Sequence, residues 1–410
     1  MHKHLIPAGA VLTLMTTQLG AQIIVPGFGE AVDSATRLAR QAVDPALDTA
    51  FDTATNLPDR AVEGARDRIE RLARLVRKQR EQLDFDREGQ PARKGMLLIS
   101  DPPADVVQRL EGTGFHVIGR ELLADLDLSV LQVAIPDGMT LSGAQDALRQ
   151  RLPEADVAAD NLLFASGTAG RGKVAKPSQA VLPAPINAPV GVIDGGAGGA
   201  VEQQRGFASG APVPGTHGSA VVSLLHVAGV RRVFVADVYG SDPAGGNTLA
   251  IARAFDWLVG RGVRVINISL VGPANPVLAR AVAGAQRRGT IIVAPVGNDG
   301  PAAPPAYPAS FPGVLAITGV DSRNRPLIEA GRAGHLDYAA PAADITASNA
   351  RGQRVPVRGT SFASPLVAAR AAAASGRNVR EMLDREAVDL GPRGPDASYG
   401  RGLLCGTCRG

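Results

Sequence analysis

Three short segments of this 410-residue chain carry side chains able to act as acid, base and nucleophile. Pro189-Val-Gly-Val-Ile-Asp194-Gly-Gly196 ends an apolar run in a carboxylate followed by glycines. Gly215-Thr-His217-Gly-Ser-Ala220 sets an imidazole ahead of an apolar stretch containing Val221, Val222, Leu224 and Leu225. Arg358-Gly-Thr360-Ser361-Phe-Ala-Ser364-Pro365 sets a hydroxyl ahead of an Ala-rich stretch. A serine deprotonated by a histidine that a carboxylate orients is the chemistry of nucleophilic acyl transfer. Each segment alone also has a plainer reading: Asp194 as a turn cap, His217 as a cap or core residue, Ser361 as a helix N-cap.

These side chains need elements to hold them. Val190–Asp194, Arg232–Val238, Val263–Ser269, Thr290–Pro295 and Val314–Gly319 are continuous Val/Ile-rich runs, the pattern of strands buried on both faces of a parallel sheet. Helical stretches over 217–229, 247–260, 275–288 and 361–374 alternate with them. The pattern predicts a three-layer αβα domain with a mostly parallel sheet over 189–404. Sites in such sheets lie beyond the carboxyl ends of the strands, where Asp194 falls. Pro365 suits the first turn of the last helix, so Ser361 is expected at its N-terminus. The helix dipole and free N–H groups there favour a developing anion.

In the order Asp, His, Ser, the three segments resemble the motifs of the subtilisin-like serine peptidases (S8). Gly-Thr-Ser361-Phe-Ala-Ser-Pro365 is similar to the nucleophile motif. His217-Gly-Ser-Ala-Val is similar to the histidine motif, with Ser219 where Thr is usual. Val-Ile-Asp194-Gly-Gly is similar to the aspartate motif, with Gly195 where Ser or Thr is usual. Val293-Ala-Pro-Val-Gly297-Asn298-Asp-Gly300 resembles the oxyanion-hole segment, and Val265-Ile-Asn-Ile-Ser269-Leu-Val-Gly272 the cleft-lining strand. Tyr307–Val314 and Tyr399–Leu403 fall in the family's order. The resemblance covers about 190–404.

The resemblance implies Ser361 as nucleophile, His217 as general base and Asp194 as the group that orients it. It implies Asn298 and the Ser361 backbone N–H as the oxyanion hole, with Thr360 assisting. Ser269, Leu270, Val271, Gly272 and Gly297 are implied to line the substrate cleft, for protein or peptide substrates and without a cofactor. Val271 stands where a glycine is usual, which predicts a narrower pocket favouring smaller side chains; Pro295 is expected to reshape the same wall. The Asp194–His217 spacing is short for the family, the loops look trimmed, and no Asp-rich cluster of oxygen ligands appears, so no required metal is expected. The rivals are a non-catalytic binding or chaperone-like protein on the same fold and an esterase on this framework.

Composition narrows the rest. Lys and Arg (43) nearly balance Asp and Glu (39), and no basic stripe interleaved with aromatics appears, which argues against nucleic-acid binding. One Trp, four Tyr and ten Phe are too few for base- or sugar-stacking platforms. Two cysteines exclude a disulfide-dense scaffold and a Cys-based zinc fold. They stand in Cys405-Gly-Thr-Cys408, within a tail over 405–410. A local disulfide is the favoured reading over a dithiol or two free thiols, since a redox CxxC needs a following helix.

The N-terminal part reads in four pieces. Residues 1–21 (His2-Lys3-His4, the apolar Leu5–Leu19, then Leu19-Gly20-Ala21) read as a secretory signal, or else an ordinary N-terminal helix. The run is too short and Thr-rich to span a membrane well, so no stable membrane insertion is expected, and export is secreted or periplasmic. Residues 22–94 form a charged, partly helical spacer in which Ile69, Leu72, Leu75 and Val76 recur at helical spacing. A mobile spacer and a partner- or membrane-surface helix both fit it. Residues 95–165 predict a small split-βαβ (ferredoxin-like) unit, and 166–188 an exposed linker. The resemblance makes 95–165 a propeptide that acts as the enzyme's own intramolecular inhibitor, cut within about 164–189 in an autoprocessed zymogen. An unrelated accessory domain is the alternative.

Overall fold

The computed structural model describes residues 59–169, 184–374, 376 and 378–408. The expected signal at 1–21, the spacer up to residue 58 and most of the expected linker lie outside the described residues. Among the described residues no helix is long and apolar enough to cross a membrane.

Helix α1 (Asp59–Lys78) leads into a small antiparallel sheet. Its elements are β1 (Leu83–Phe85), β2 (Pro91–Ser100), α2 (Val106–Leu110), β3 (His116–Leu123), β4 (Leu128–Ala134), α3 (Leu141–Arg151) and β5 (Asp156–Asn161). β2 lies between β4 and β5, β3 pairs with β4, and β1 pairs with the start of β2. From β2 onward this is β-α-β-β-α-β connectivity. The sheet starts before residue 95, because Pro91–Arg93 pair with Leu83–Phe85. Arg93 and Lys94 interrupt the apolar pattern and hide that start. The last strand, β5, ends at Asn161. Nor is 59–94 an open spacer: Ala65, Ile69, Leu72 and Val76 form a buried stripe along α1.

Alternation along β2 explains how this unit sits. Leu97 and Ile99 face α2 and α3 in a core with Leu131, Val133, Leu141 and Leu148. Met96 and Leu98 point the other way, into a cluster shared with the helices of the second unit.

Two short strands follow, β6 (Phe164–Ala165) and β7 (Thr168–Ala169), and then the second unit begins. It contains β8 (Val190–Asp194), β9 (Gln203–Gly206), α4 (Thr216–Val227), β10 (Val233–Asp237), α5 (Thr248–Gly260), β11 (Val265–Ile268) and β12 (Leu270–Val271). It continues with α6 (Pro276–Arg287), β13 (Ile291–Pro295), β14 (Leu315–Val320), β15 (Tyr338–Pro341), β16 (Ile345–Ser348), β17 (Arg354–Arg358), α7 (Ser364–Ala373) and α8 (Val379–Glu386). A seven-stranded sheet runs β15-β14-β13-β11-β8-β10-β9, with every pair parallel. α4 and α7 pack on one face, α5 and α6 on the other. This is the three-layer fold that the Val/Ile runs predict. Local chemistry starts the helices: Asn247 accepts from the Ala250 amide at α5, and Asn275 from the Val277 and Leu278 amides at α6.

The Cys405–Cys408 disulfide closes a turn at the chain's end. Leu404 bonds the β15 backbone (its N–H to Ala339 O, 2.9 Å) and is buried beside Cys405, so the tail is pinned to the core.

The first unit docks on α5 and α6 through the shared apolar cluster and a rim of ion pairs. Arg280 bonds Asp101 (2.9 Å) and Asp156 (2.6 Å), Arg93 bonds Asp242 (2.7 Å), and Glu121 pairs with Arg253. Inside that rim Asp160 is buried and accepts the Leu249 N–H at 2.9 Å. Burial pushes its carboxyl up to about 6, against the pull of that N–H and of Arg93. Separated from its partner it returns towards about 3.9. The raised value means that docking binds protons: its contribution is full below about pH 4 and is lost as pH rises towards 6. Urea should therefore separate the units in a Ser361→Ala chain more easily at pH 7 than at pH 5. Asp160→Asn should flatten that difference; a difference of unchanged size in that variant would place its origin elsewhere.

Candidate active site

Asp194 is the last residue of β8, His217 lies in the first turn of α4, and Ser361 lies in a 3-10 turn (Thr360–Phe362) just ahead of α7. Ser361 is thus not the N-cap of α7 but one turn upstream. The carboxyl edge of the sheet brings the three together. His217 Nδ1 is 2.9 and 3.0 Å from the two Asp194 oxygens, and Nε2 is 2.9 Å from Ser361 Oγ. Asp194 is 1 % exposed, and its Oδ1 also accepts the Gly195 N–H at 2.7 Å, so two donors compensate the buried carboxylate. The His217 ring packs on Phe362 with centroids 5.1 Å apart.

Local sequence sets this geometry. A Cβ at Gly218 would run into the Gly195 carbonyl, so glycine lets α4 start against the loop that leaves β8. Ser219, where threonine is usual, holds the same junction: its hydroxyl donates to Gly215 O (2.6 Å) and accepts the Gly198 N–H (3.0 Å).

The residues beside the serine converge on one oxygen. Asn298 Nδ2 donates to the Ser166 carbonyl at 2.5 Å, and the Ser361 N–H donates to the same oxygen at 3.1 Å. Thr360 does not reach it. Its hydroxyl donates to Gly297 O (3.1 Å), and its N–H donates to Asn298 Oδ1 (3.0 Å), which fixes the amide's orientation. Thr360 therefore orients the Asn298 amide rather than bonding that oxygen itself.

The expected cleft residues divide. Leu270–Val271 pair antiparallel with Phe164–Ala165, and Val271, Gly272 and Gly297 line a cavity of about 850 Å³ with Ala303, Pro304 and Tyr307. Ser269 does not line it. It is fully buried and donates to Ser361 O at 2.9 Å, supporting the serine's backbone from behind. Sequence reasoning missed Tyr239, whose hydroxyl donates to Leu163 O at 2.8 Å, and Gly246, whose carbonyl accepts the Leu163 N–H at 2.8 Å. Neither stands in a motif that would single it out. Among the described residues no group of three or more His, Cys, Asp or Glu is placed to hold a metal ion.

The chain's own segment 162–169 runs through the cleft and forms one wall of that cavity. β6 pairs with β12 on one side of Ser361, and β7 pairs with β17 on the other. Extended pairing of this kind is how a cleft holds a peptide strand.

A family model described as "Subtilase family" matches residues 206–402, a span holding His217, Asn298 and Ser361 but not Asp194. Subtilisin BL from Lederbergia lenta is 30 % identical over 191 residues, covering 45 % of this chain and 69 % of that protein. The minor extracellular protease Epr of Bacillus subtilis (strain 168) is 26 % identical over 205 residues, covering 46 % of this chain but only 32 % of Epr. The crystal structure of fervidolysin from Fervidobacterium pennivorans, a keratinolytic enzyme related to subtilisin, superposes with a TM-score of 0.63 at 17 % identity. That match covers 80 % of this chain and 63 % of fervidolysin.

Proposed function

Because the chain belongs to the subtilase family of subtilisin-like serine peptidases, we propose that it is an exported endopeptidase that cuts peptide bonds through Asp194, His217 and Ser361 and is made as a self-processing zymogen. The observation that carries the reading is a single relay: His217 lies 2.9 Å from both Asp194 and Ser361, beside two donors that share one carbonyl oxygen. Ser361 Oγ attacks the scissile carbonyl while His217 takes its proton. Asp194 holds the imidazole and stabilises its charged form. The tetrahedral oxyanion forms where Asn298 and the Ser361 N–H already point. His217 then gives the proton to the leaving amine, and water, activated by the same histidine, releases the acyl group.

Residues up to the cleft strand act as the enzyme's own inhibitor, with proteins or peptides as later substrates. Export accords with the extracellular relative named above. A fluorophosphonate or sulfonyl fluoride tests the core of the reading. Labelling at Ser361 with loss of peptide hydrolysis is expected; a chain that processes and hydrolyses peptides with Ser361 unlabelled would overturn it.

Specificity follows from Val271. Its methyls stand 3.7 and 3.9 Å from where a Cβ on Gly297 would lie, so with Gly297 they narrow the cavity they line. Val271→Gly should raise kcat/KM for Phe over Ala ahead of the cut bond by about tenfold or more, since pocket methylenes are worth roughly 1–3 kcal/mol. Peptide-library profiling of the two forms reads this, and an aromatic preference already present in the wild type would refute it.

A further inference from the structure

The geometry assigns the processing bond to Ser166–Gly167, an inference that rests on the serine-peptidase reading above. Register fixes it. Phe164–Ala165 pair with Leu270–Val271 upstream of Ser361, and Thr168–Ala169 pair with Val357–Arg358 downstream. Only two residues lie between these anchors. The first, Ser166, gives its carbonyl oxygen to Asn298 Nδ2 and the Ser361 N–H. The second, Gly167, passes so close to the nucleophile that a Cβ there would collide with Ser361 Oγ and come within 2.7 Å of the Phe362 ring. Ser166 is buried, and its small hydroxyl lies 3.3 Å from Thr360 Oγ1 and 3.2 Å from Asn298 Nδ2.

The step balances within the chain and one water. Ser361 Oγ bonds to the Ser166 carbonyl carbon as the serine proton passes to His217. The Ser166–Gly167 C–N bond breaks, and the proton moves to the Gly167 nitrogen, which leaves as an amine. Water then hydrolyses the ester, leaving a carboxylate on Ser166 and restoring the Ser361 hydroxyl.

The test reads the masses of both pieces from full-length wild type and from Ser361→Ala. The N-terminal piece should end at Ser166, a terminus untouched by later trimming of the mature end, and the Ser361→Ala chain should stay whole. A piece ending elsewhere, from a protein that labels at Ser361 and hydrolyses peptides, overturns the assignment and leaves the peptidase reading intact. A chain that neither labels nor hydrolyses overturns that reading first. Gly167→Val should slow conversion at least tenfold; an unchanged rate at the same bond would contradict the close approach described here.

Helix α1 grips the rim of the same cleft through separate groups. Arg71 bonds Asp299 at 2.6 Å, and Arg68 lies 3.4 Å from the other carboxylate oxygen while also donating to Gln90 at 2.8 Å. Asp299 directly follows Asn298. Val76 packs with Leu162 and Ala244, against Phe164, so α1 also covers the strand that enters the cleft. We infer that α1 is a second fastening that delays departure of the cut N-terminal piece. In a full-length Arg68→Glu/Arg71→Glu chain, cutting should occur at the unchanged bond, which reports a correct fold. The lag before an added peptide is hydrolysed should shorten at least tenfold. Wild type in about 0.5 M salt should move in the same direction by less, because screening reaches the exposed Arg71 but only poorly the partly buried Arg68. A lag unaltered by both treatments overturns the inference.

Discussion

Ser361→Ala should leave the full-length chain uncut and lower peptide hydrolysis by about 10^6-fold, the size of loss known for this family of enzymes. The expectation comes from the shape of the relay. His217 Nε2 has one hydroxyl in reach, Ser361 Oγ, which donates to it at 2.9 Å, and among the described residues no second hydroxyl or thiol is bonded to it. An alanine there leaves a general base with nothing to deprotonate but water. The oxyanion donors and the strand-pairing edges are untouched by the change, but in the uncut chain its own segment occupies both, which lowers turnover of an added peptide further. Gel analysis of conversion and a peptide assay on the purified chain measure the two losses. Conversion at a wild-type rate would mean that another protease cuts the chain, or that another residue attacks.

Asn298→Ala is expected to lower kcat by roughly 10²–10³-fold with little change in KM, again the family's own scale for a lost oxyanion donor. The amide's orientation is set by the protein as well as by the strand in the cleft, because its oxygen is held by the Thr360 N–H at 3.0 Å. Its nitrogen points at the carbonyl oxygen that gains charge as the tetrahedral species forms. An interaction that strengthens on the way to the transition state appears in kcat rather than in KM. Steady-state kinetics on the converted enzyme separate the two parameters. A rise in KM at constant kcat would show that Asn298 holds ground-state substrate only.

Sheet, site and cleft strand are unequally legible in the sequence. The strands of the parallel sheet are readable because both their faces are buried, so residues 190–193 and Ile291–Pro295 carry no polar side chain. The segments around Asp194, His217, Asn298 and Ser361 are readable because each is a local turn whose glycines and small polar residues are needed where they stand. The cleft strand was not. Phe164–Ala165 and Thr168–Ala169 are two-residue strands with no period to detect, and their register comes from Leu270–Val271 and Val357–Arg358, far along the chain. Ser269 shows a related limit. Its motif places it beside the cleft, but whether its hydroxyl faces substrate or the back of Ser361 depends on Asn267 and Ser364, which bond it at 2.8 and 3.1 Å. The docking of α1 is legible as an apolar stripe but not as a partner, because Asp299 lies 228 positions from Arg71.

Nucleophile and cleft strand are parts of one continuous polypeptide. Their encounter is therefore unimolecular, and the local concentration of the bond to be opened is set by the fold rather than by how much protein is present. Dilution should leave the half-time of conversion unchanged, and bystander peptides in solution cannot compete for that first turnover.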